Sequence, residues 1–250
     1  MGNLFTKATS WFIFLGASAQ LSVCVAQSTV KLRVVGQFGK QTLQLNQPYA
    51  TLNGDTVELT RFVYYLSNIE LVGRNQTVWR QPESYHLLEI SEEGQSTFEI
   101  ELAGVPPGEY TGITFALGVD SLRNHSGEQV GALDPDNGMF WMWETGYVFL
   151  KAEGFYRRPA GQKRAMVYHI GRDDCYQPVQ LNFPSARRIK VGAGAMPTVQ
   201  LVADARLLFG GPGAAIQLKA PVGEESISVM GGPKAPKVAR NYARMFFLAP

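Results

Sequence analysis

Histidine is scarce in this chain, with three in 250 residues: His86, His125 and His169. That excludes a histidine-rich metal cage, and no HExxH signature is present. Cysteine is scarcer still, limited to Cys24 and Cys175. Without a C-x-x-C pair, neither a zinc ribbon nor a thioredoxin-like redox motif can be drawn. There is no Walker A loop and no serine elbow; Leu66-Ser67-Asn68 lacks the flanking glycines. Charged residues make up only 18% and nearly cancel, leaving a formal net charge of +2. With no basic stripe, nucleic acid is not an expected partner. Beyond the N-terminal segment no apolar run is long enough to span a bilayer.

That N-terminal segment reads as a targeting sequence. Lys7 supplies a positive start, Trp11 opens an apolar run to Val25, and Cys24-Val25-Ala26 ends it with small residues where a signal peptidase needs them. Residues 1–26 are therefore expected to be a signal peptide cleaved before Gln27, leaving residues 27–250 as one exported domain that is not integral to the membrane. Lipid anchoring at Cys24 is the alternative, weakened by bulky Val23 just before it. Once Cys24 is removed, Cys175 stands alone and no internal disulfide can form; a buried thiol is the expected state.

What is present is β-forming. Val30-Lys31-Leu32-Arg33-Val34 alternates apolar and polar residues, and Asn53-Gly54-Asp55 marks a turn. In Phe62-Val63-Tyr64-Tyr65-Leu66 the odd members share one face, and Ile69 and Leu71 rejoin that face only if a bulge falls near Ser67-Asn68. Alternation recurs at residues 84–90, 98–102 and 165–171, and a long final strand is expected over 198–209. Pro106-Pro107-Gly108 reads as a tight turn between a strand and its return. Val238, Tyr242, Met245 and Phe246 form one stripe of an expected helix over 236–247. Strands at short intervals with Gly/Pro turns imply an all-β fold, an antiparallel β-sandwich with a short C-terminal helix.

The unusual chemistry lies in residues 133–154, LDPDNGMFWMWETGYVFLKAEG. Two of the four tryptophans, Trp141 and Trp143, are two apart, and Met139 and Met142 bracket Trp141. Asp134, Asp136 and Asn137 precede them. A plain aromatic core cluster is one reading of this density. A metal site is another, since thioether and imidazole together suit copper, Cu(I) above all. Met139, Met142 and His169 are the candidate soft and borderline donors. Asp134, Asp136 and Asn137 as a calcium loop would lack the regular spacing and closing glutamate of an EF-hand. An aromatic platform of Trp141, Trp143 and Tyr147 for carbohydrate or protein binding is a third reading. A hydrolase using Asp134 or Glu153 is a fourth, without an evident nucleophile. The basic residues Arg157, Arg158, Lys163 and Arg164 read as a solvated hairpin loop.

Taken together, several segments resemble the MbnP family of exported copper-binding proteins. They are Gly54-Asp55-Thr56-Val57, Phe62-Val63-Tyr64-Tyr65-Leu66-Ser67-Asn68-Ile69, Tyr85-His86-Leu87-Leu88, Gly118-Val119-Asp120-Ser121 and Gly131-Ala132-Leu133-Asp134-Pro135. The likeness continues through Gly138-Met139-Phe140-Trp141-Met142-Trp143, Gly146-Tyr147, Lys151-Ala152-Glu153-Gly154, His169-Ile170-Gly171 and the segment from Ala239 to Phe246. It implies a β-rich periplasmic or otherwise exported protein that binds copper, as Cu(I) or Cu(II), and is not itself an enzyme. It further implies a partner, a dihaem peroxidase of the MauG or MbnH kind, that oxidises one tryptophan to kynurenine to complete the copper site. By motif, Trp141 and Trp143 are the residues open to oxidation, His169 is the leading ligand, and His86, Met139 and Met142 are further ligand candidates.

Overall fold

The computed structural model describes residues 28–142, 145–192, 194–219 and 226–250. The expected signal segment and Trp143 lie outside these residues. The first half of the chain forms β1 (Ser28–Phe38), β2 (Gln41–Thr42), β3 (Pro48–Ala50), β4 (Thr56–Gly73), β5 (Val78–Arg80), β6 (Tyr85–Glu89), β7 (Thr97–Val105) and β8 (Gly108–Leu117). A covering segment with the one-turn helix α1 (Ser121–Asn124) follows. Then come β9 (Phe140–Met142), β10 (Gly146–Arg157), β11 (Arg164–Gly171), β12 (Gln177–Asn182), β13 (Ile189–Val191), β14 (Thr198–Asp204), β15 (Ser226–Val229), α2 (Ala235–Ala243) and β16 (Phe246–Leu248).

These strands form two sheets, as the alternation requires. The smaller runs β16-β14-β1-β2, with β7 on β1; the larger runs β12-β8-β4-β10-β11-β15, with short strands on its borders. In β1 every second residue is buried, and Val30, Leu32, Val34 and Phe38 face the larger sheet's interior side. The two sheets meet through aromatic rings. Tyr64 of β4 lies edge-on to Phe246 of β16 at 5.7 Å, and Phe115 of β8 approaches the same ring at 5.4 Å. Phe62, Tyr64 and Leu66 thus point into the sandwich, as their spacing indicated.

Strand β4 is the spine. It is 18 residues long, with β10 along its first half and β8 along its second. The expected bulge is present: the β4–β8 register shifts between Ser67 and Glu70, and Asn68 adopts φ 52°. Ile69 and Leu71 are fully buried in consequence. A bulge also lets so long a strand bend instead of projecting past the sheet.

The other face of the large sheet would expose Val63 and Tyr65 to water, and residues 118–142 cover it. The Tyr65 hydroxyl donates to the Ala132 carbonyl at 2.8 Å, and that of Tyr147 to the Leu133 carbonyl at 2.5 Å. The two tyrosine rings meet edge-on at 5.9 Å, and Phe140 packs on Tyr147 at 5.0 Å. Asn124 is buried, holding Asp173 Oδ1 with its Nδ2 and accepting the Tyr147 N–H, both at 2.8 Å.

Four expectations need correction. Most ladders are antiparallel, but β1–β14 and β11–β15 are parallel, a pairing that alternation alone does not distinguish. Pro106-Pro107-Gly108 joins two sheets, since β7 pairs with β1 and β8 with β4. The final long strand stops at Asp204, whose carboxylate accepts the Arg206 N–H at 3.0 Å and starts a 3-10 turn over Ala205–Leu208. Helix α2 ends at Ala243, because Phe246 is drawn into pairing with Ala203 of β14. Val238, Tyr242 and Met245 are buried as the stripe implied. Cys175 is a buried free thiol, and burial pushes its pKa up to about 12. Among the described residues no helix is long and apolar enough to cross a membrane.

Candidate metal site

The hairpin of β10 and β11 carries the site. Its register sets Lys151 opposite His169, Glu153 opposite Val167, and Val148 opposite Gly171. Opposed residues share a face. Lys151 is also opposite Val63 of β4, so Lys151, Glu153 and His169 lie on the covered outer face, not inside the sandwich. His169 is partly buried, with 15% of its side chain exposed, and its Nε2 lies 2.6 Å from Glu153 Oε1.

Covering segment and sheet are fastened together beside this pair. Lys151 Nζ donates to the Gly138 carbonyl at the turn before Met139. Burial, reinforced by nearby Arg61, lowers the Lys151 pKa. Arg61 itself reaches Glu89 at 3.3 Å. In β9, Phe140 turns onto Tyr147, so Trp141 takes the opposite side of its short strand. There its indole covers Gly171, two residues past His169 on the same face. A Cβ built at Gly171 would lie 2.9 Å from Trp141 Cζ3 and 2.4 Å from the Tyr147 carbonyl oxygen. Only glycine leaves room for the ring. Gly171→Ala should therefore destabilise the domain by about 1–3 kcal/mol and shift the Trp141 fluorescence. Unchanged denaturation and emission would show that the ring does not sit there.

His86 is elsewhere. It lies opposite Leu66, while Lys151, and through it His169, aligns with Val63. Val63 and Leu66 are three residues apart in a regular stretch, so the two histidines emerge on opposite faces of the sheet. They cannot share a metal ion. His86 instead pairs its Nε2 with Gln81 Oε1 at 2.9 Å, and burial lowers its pKa. Met139 is fully buried in the hydrophobic core, whereas Met142 is 56% exposed and on the strand face away from Trp141. Of the expected residues that are described, Trp141 is the one brought to the His169 side of the hairpin, over Gly171.

The other readings fare differently. Asp134 Oδ1 accepts the Asp136 N–H at 2.9 Å, and Asn137 Nδ2 donates to the carbonyls of Gly131 and Ala132. These side chains shape a turn instead of converging on a calcium ion. Tyr147 is fully buried and offers no binding platform. The hairpin loop is tied down by Lys163, which bridges to Glu58 at 2.8 Å and lies over the Phe155 ring at 4.2 Å. Glu153 was visible only as a lone acid; its pairing with His169 follows from the hairpin register, which strand boundaries alone did not fix.

Among the described residues no three His, Cys, Asp or Glu side chains converge. His169 provides an imidazole nitrogen and Glu153 a carboxylate, but an intact indole is only an N–H donor. With an intact indole the donor set is therefore incomplete for a metal ion.

Fold and site together define a β-sandwich whose second face holds a histidine–carboxylate pair under a tryptophan-bearing cover. The MbnP family model matches residues 27–230, and the chain belongs to the MbnP family. The match ends before α2. The solved structure of MbnP from Methylosinus trichosporium is similar, with a TM-score of 0.55 at 18% identity, covering 85% of this chain and 87% of that one. At that identity the likeness speaks for the fold. No curated protein matches the chain.

Proposed function

We propose that this chain is an exported copper-binding protein whose Trp141 is oxidised by a dihaem peroxidase of the MauG kind. Family membership supports a copper-related role, and the observation that carries the site is the Trp141 indole seated over Gly171, next to His169. The chain is the substrate of that oxidation, not an enzyme. Residues 1–26 serve as its signal peptide, and the mature chain works outside the cytoplasm.

The chemistry follows from the donor set. Two equivalents of peroxide, each reduced to water at the peroxidase, cleave the indole C2–C3 bond in a four-electron oxidation that places one oxygen on each carbon and gives N-formylkynurenine. Hydrolysis then releases C2 as formate and leaves kynurenine, an aryl ketone with an aromatic amine. Both groups carry lone pairs that the indole lacked. His169 and the opened Trp141 would hold the copper, which supplies a soft or borderline acceptor for nitrogen donors. Lys151, bound to the Gly138 carbonyl, keeps the covering segment down so that the new donor stays beside the imidazole. Arg61, opposite Glu153 on β4, lies 3.3 Å from Glu89.

The test is a copper titration of two preparations of the mature chain, one produced with the peroxidase and one without. Tight binding is expected only from the first. Equal affinity in both would overturn the role of oxidation.

A further inference from the structure

We propose that Glu153 is a positioning residue: by accepting the Nε2–H of His169, it fixes the ring so that Nδ1 is the nitrogen presented toward Trp141. This rests on the copper reading above, but part of its test needs no metal.

The geometry has three parts. First, the contact is short, 2.6 Å between Nε2 and Oε1, and the imidazole is mostly shielded from water, so little competes with it. Second, Glu153 and Trp141 flank His169 on opposite sides. Along β11 the Glu153 side is marked by Val167, opposite that residue, and the Trp141 side by Gly171, under the indole. A nitrogen turned to Glu153 is turned away from Trp141. Third, two neighbouring cations make contacts other than to Glu153, Lys151 to the Gly138 carbonyl and Arg61 to Glu89. The Glu153 carboxylate is thereby left to the histidine. A ligating histidine commonly gives its other N–H to a carboxylate, which sets the tautomer and the ring orientation.

The experiment uses the mature chain with nitrogen-15-labelled histidine, followed by NMR. In the metal-free protein, a slowly exchanging His169 Nε2–H signal is expected; Glu153→Ala should abolish it while circular dichroism stays unchanged. Glu153→Gln, which keeps the shape and one acceptor oxygen, should restore a weaker signal. When the peroxidase-treated chain is loaded with Cu(I), the Nδ1 resonance should move, and Glu153→Ala should weaken Cu(I) binding by about 10–100-fold. A metal-free Nδ1–H tautomer, or movement of Nε2 on loading, overturns the proposal. Movement of neither nitrogen in a chain that keeps its Nε2–H signal overturns the copper reading instead.

Discussion

His169→Ala is expected to lower copper affinity of the peroxidase-treated chain by more than about 100-fold, roughly 2.8 kcal/mol. Partners that merely orient a ligand cost up to that much, and His169 is proposed as the ligand itself. The fold should survive. The imidazole is on the covered outer face instead of in the sandwich core, and the Glu153 carboxylate it leaves behind, with 31% of its side chain exposed, can take water in its place. His86→Ala is the control. Its ring is on the opposite face of the sheet, bonded to Gln81, so copper affinity should not change. Isothermal titration of both variants decides this. Equal losses from the two would mean that the assigned face is wrong.

Asn241→Leu should cost about 4 kcal/mol of stability. The side chain is fully buried in α2 and meets four backbone groups. Its Oδ1 accepts from Ala215 at 2.9 Å and Ile216 at 3.4 Å; its Nδ2 donates to Leu208 at 3.0 Å and Ile216 at 2.7 Å. Leucine fills a similar volume but leaves these buried groups without their partner, at about 1–3 kcal/mol each before relaxation. Chemical denaturation measures it. A loss below about 1 kcal/mol would show that water replaces the amide. The Asn241-Tyr242 pair thus acts as an architectural clamp: the tyrosine hydroxyl donates to the Cys175 carbonyl, tying the helix to the chain just beyond the β10–β11 hairpin.

What the sequence disclosed, and what it hid, follows from the range of the forces involved. The β4 bulge was legible because two alternating runs, ending at Leu66 and resuming at Ile69, are out of phase by one residue, and the buried state of both demands a bulge. The buried Cys175 and the α2 stripe were legible for similar local reasons. The parallel pairing of β14 with β1 was not, because nothing in either strand's alternation encodes its neighbour's direction. The end of β14 was hidden by the Asp204 carboxylate, a local cap inside an apolar pattern.

The candidate site divides the same way. His169, Trp141 and the methionines were conspicuous as residue types. Which of them meet depends on hairpin register and on the parity between β6 and β10 across β4. That parity excludes His86 from the His169 site. The β10–β11 register in turn brings in Glu153, whose neighbour in space is 16 residues away in sequence. The role of Gly171 appears only with the indole in place above it.

The most direct measurement is peptide mass spectrometry of the mature protein from its native host, with copper quantified in the same sample. The peptide spanning Met139 to Lys151 is expected to carry kynurenine at Trp141, with copper bound to that population and lost in a strain lacking the peroxidase. Native protein that binds copper tightly with the Trp141 indole intact would contradict it.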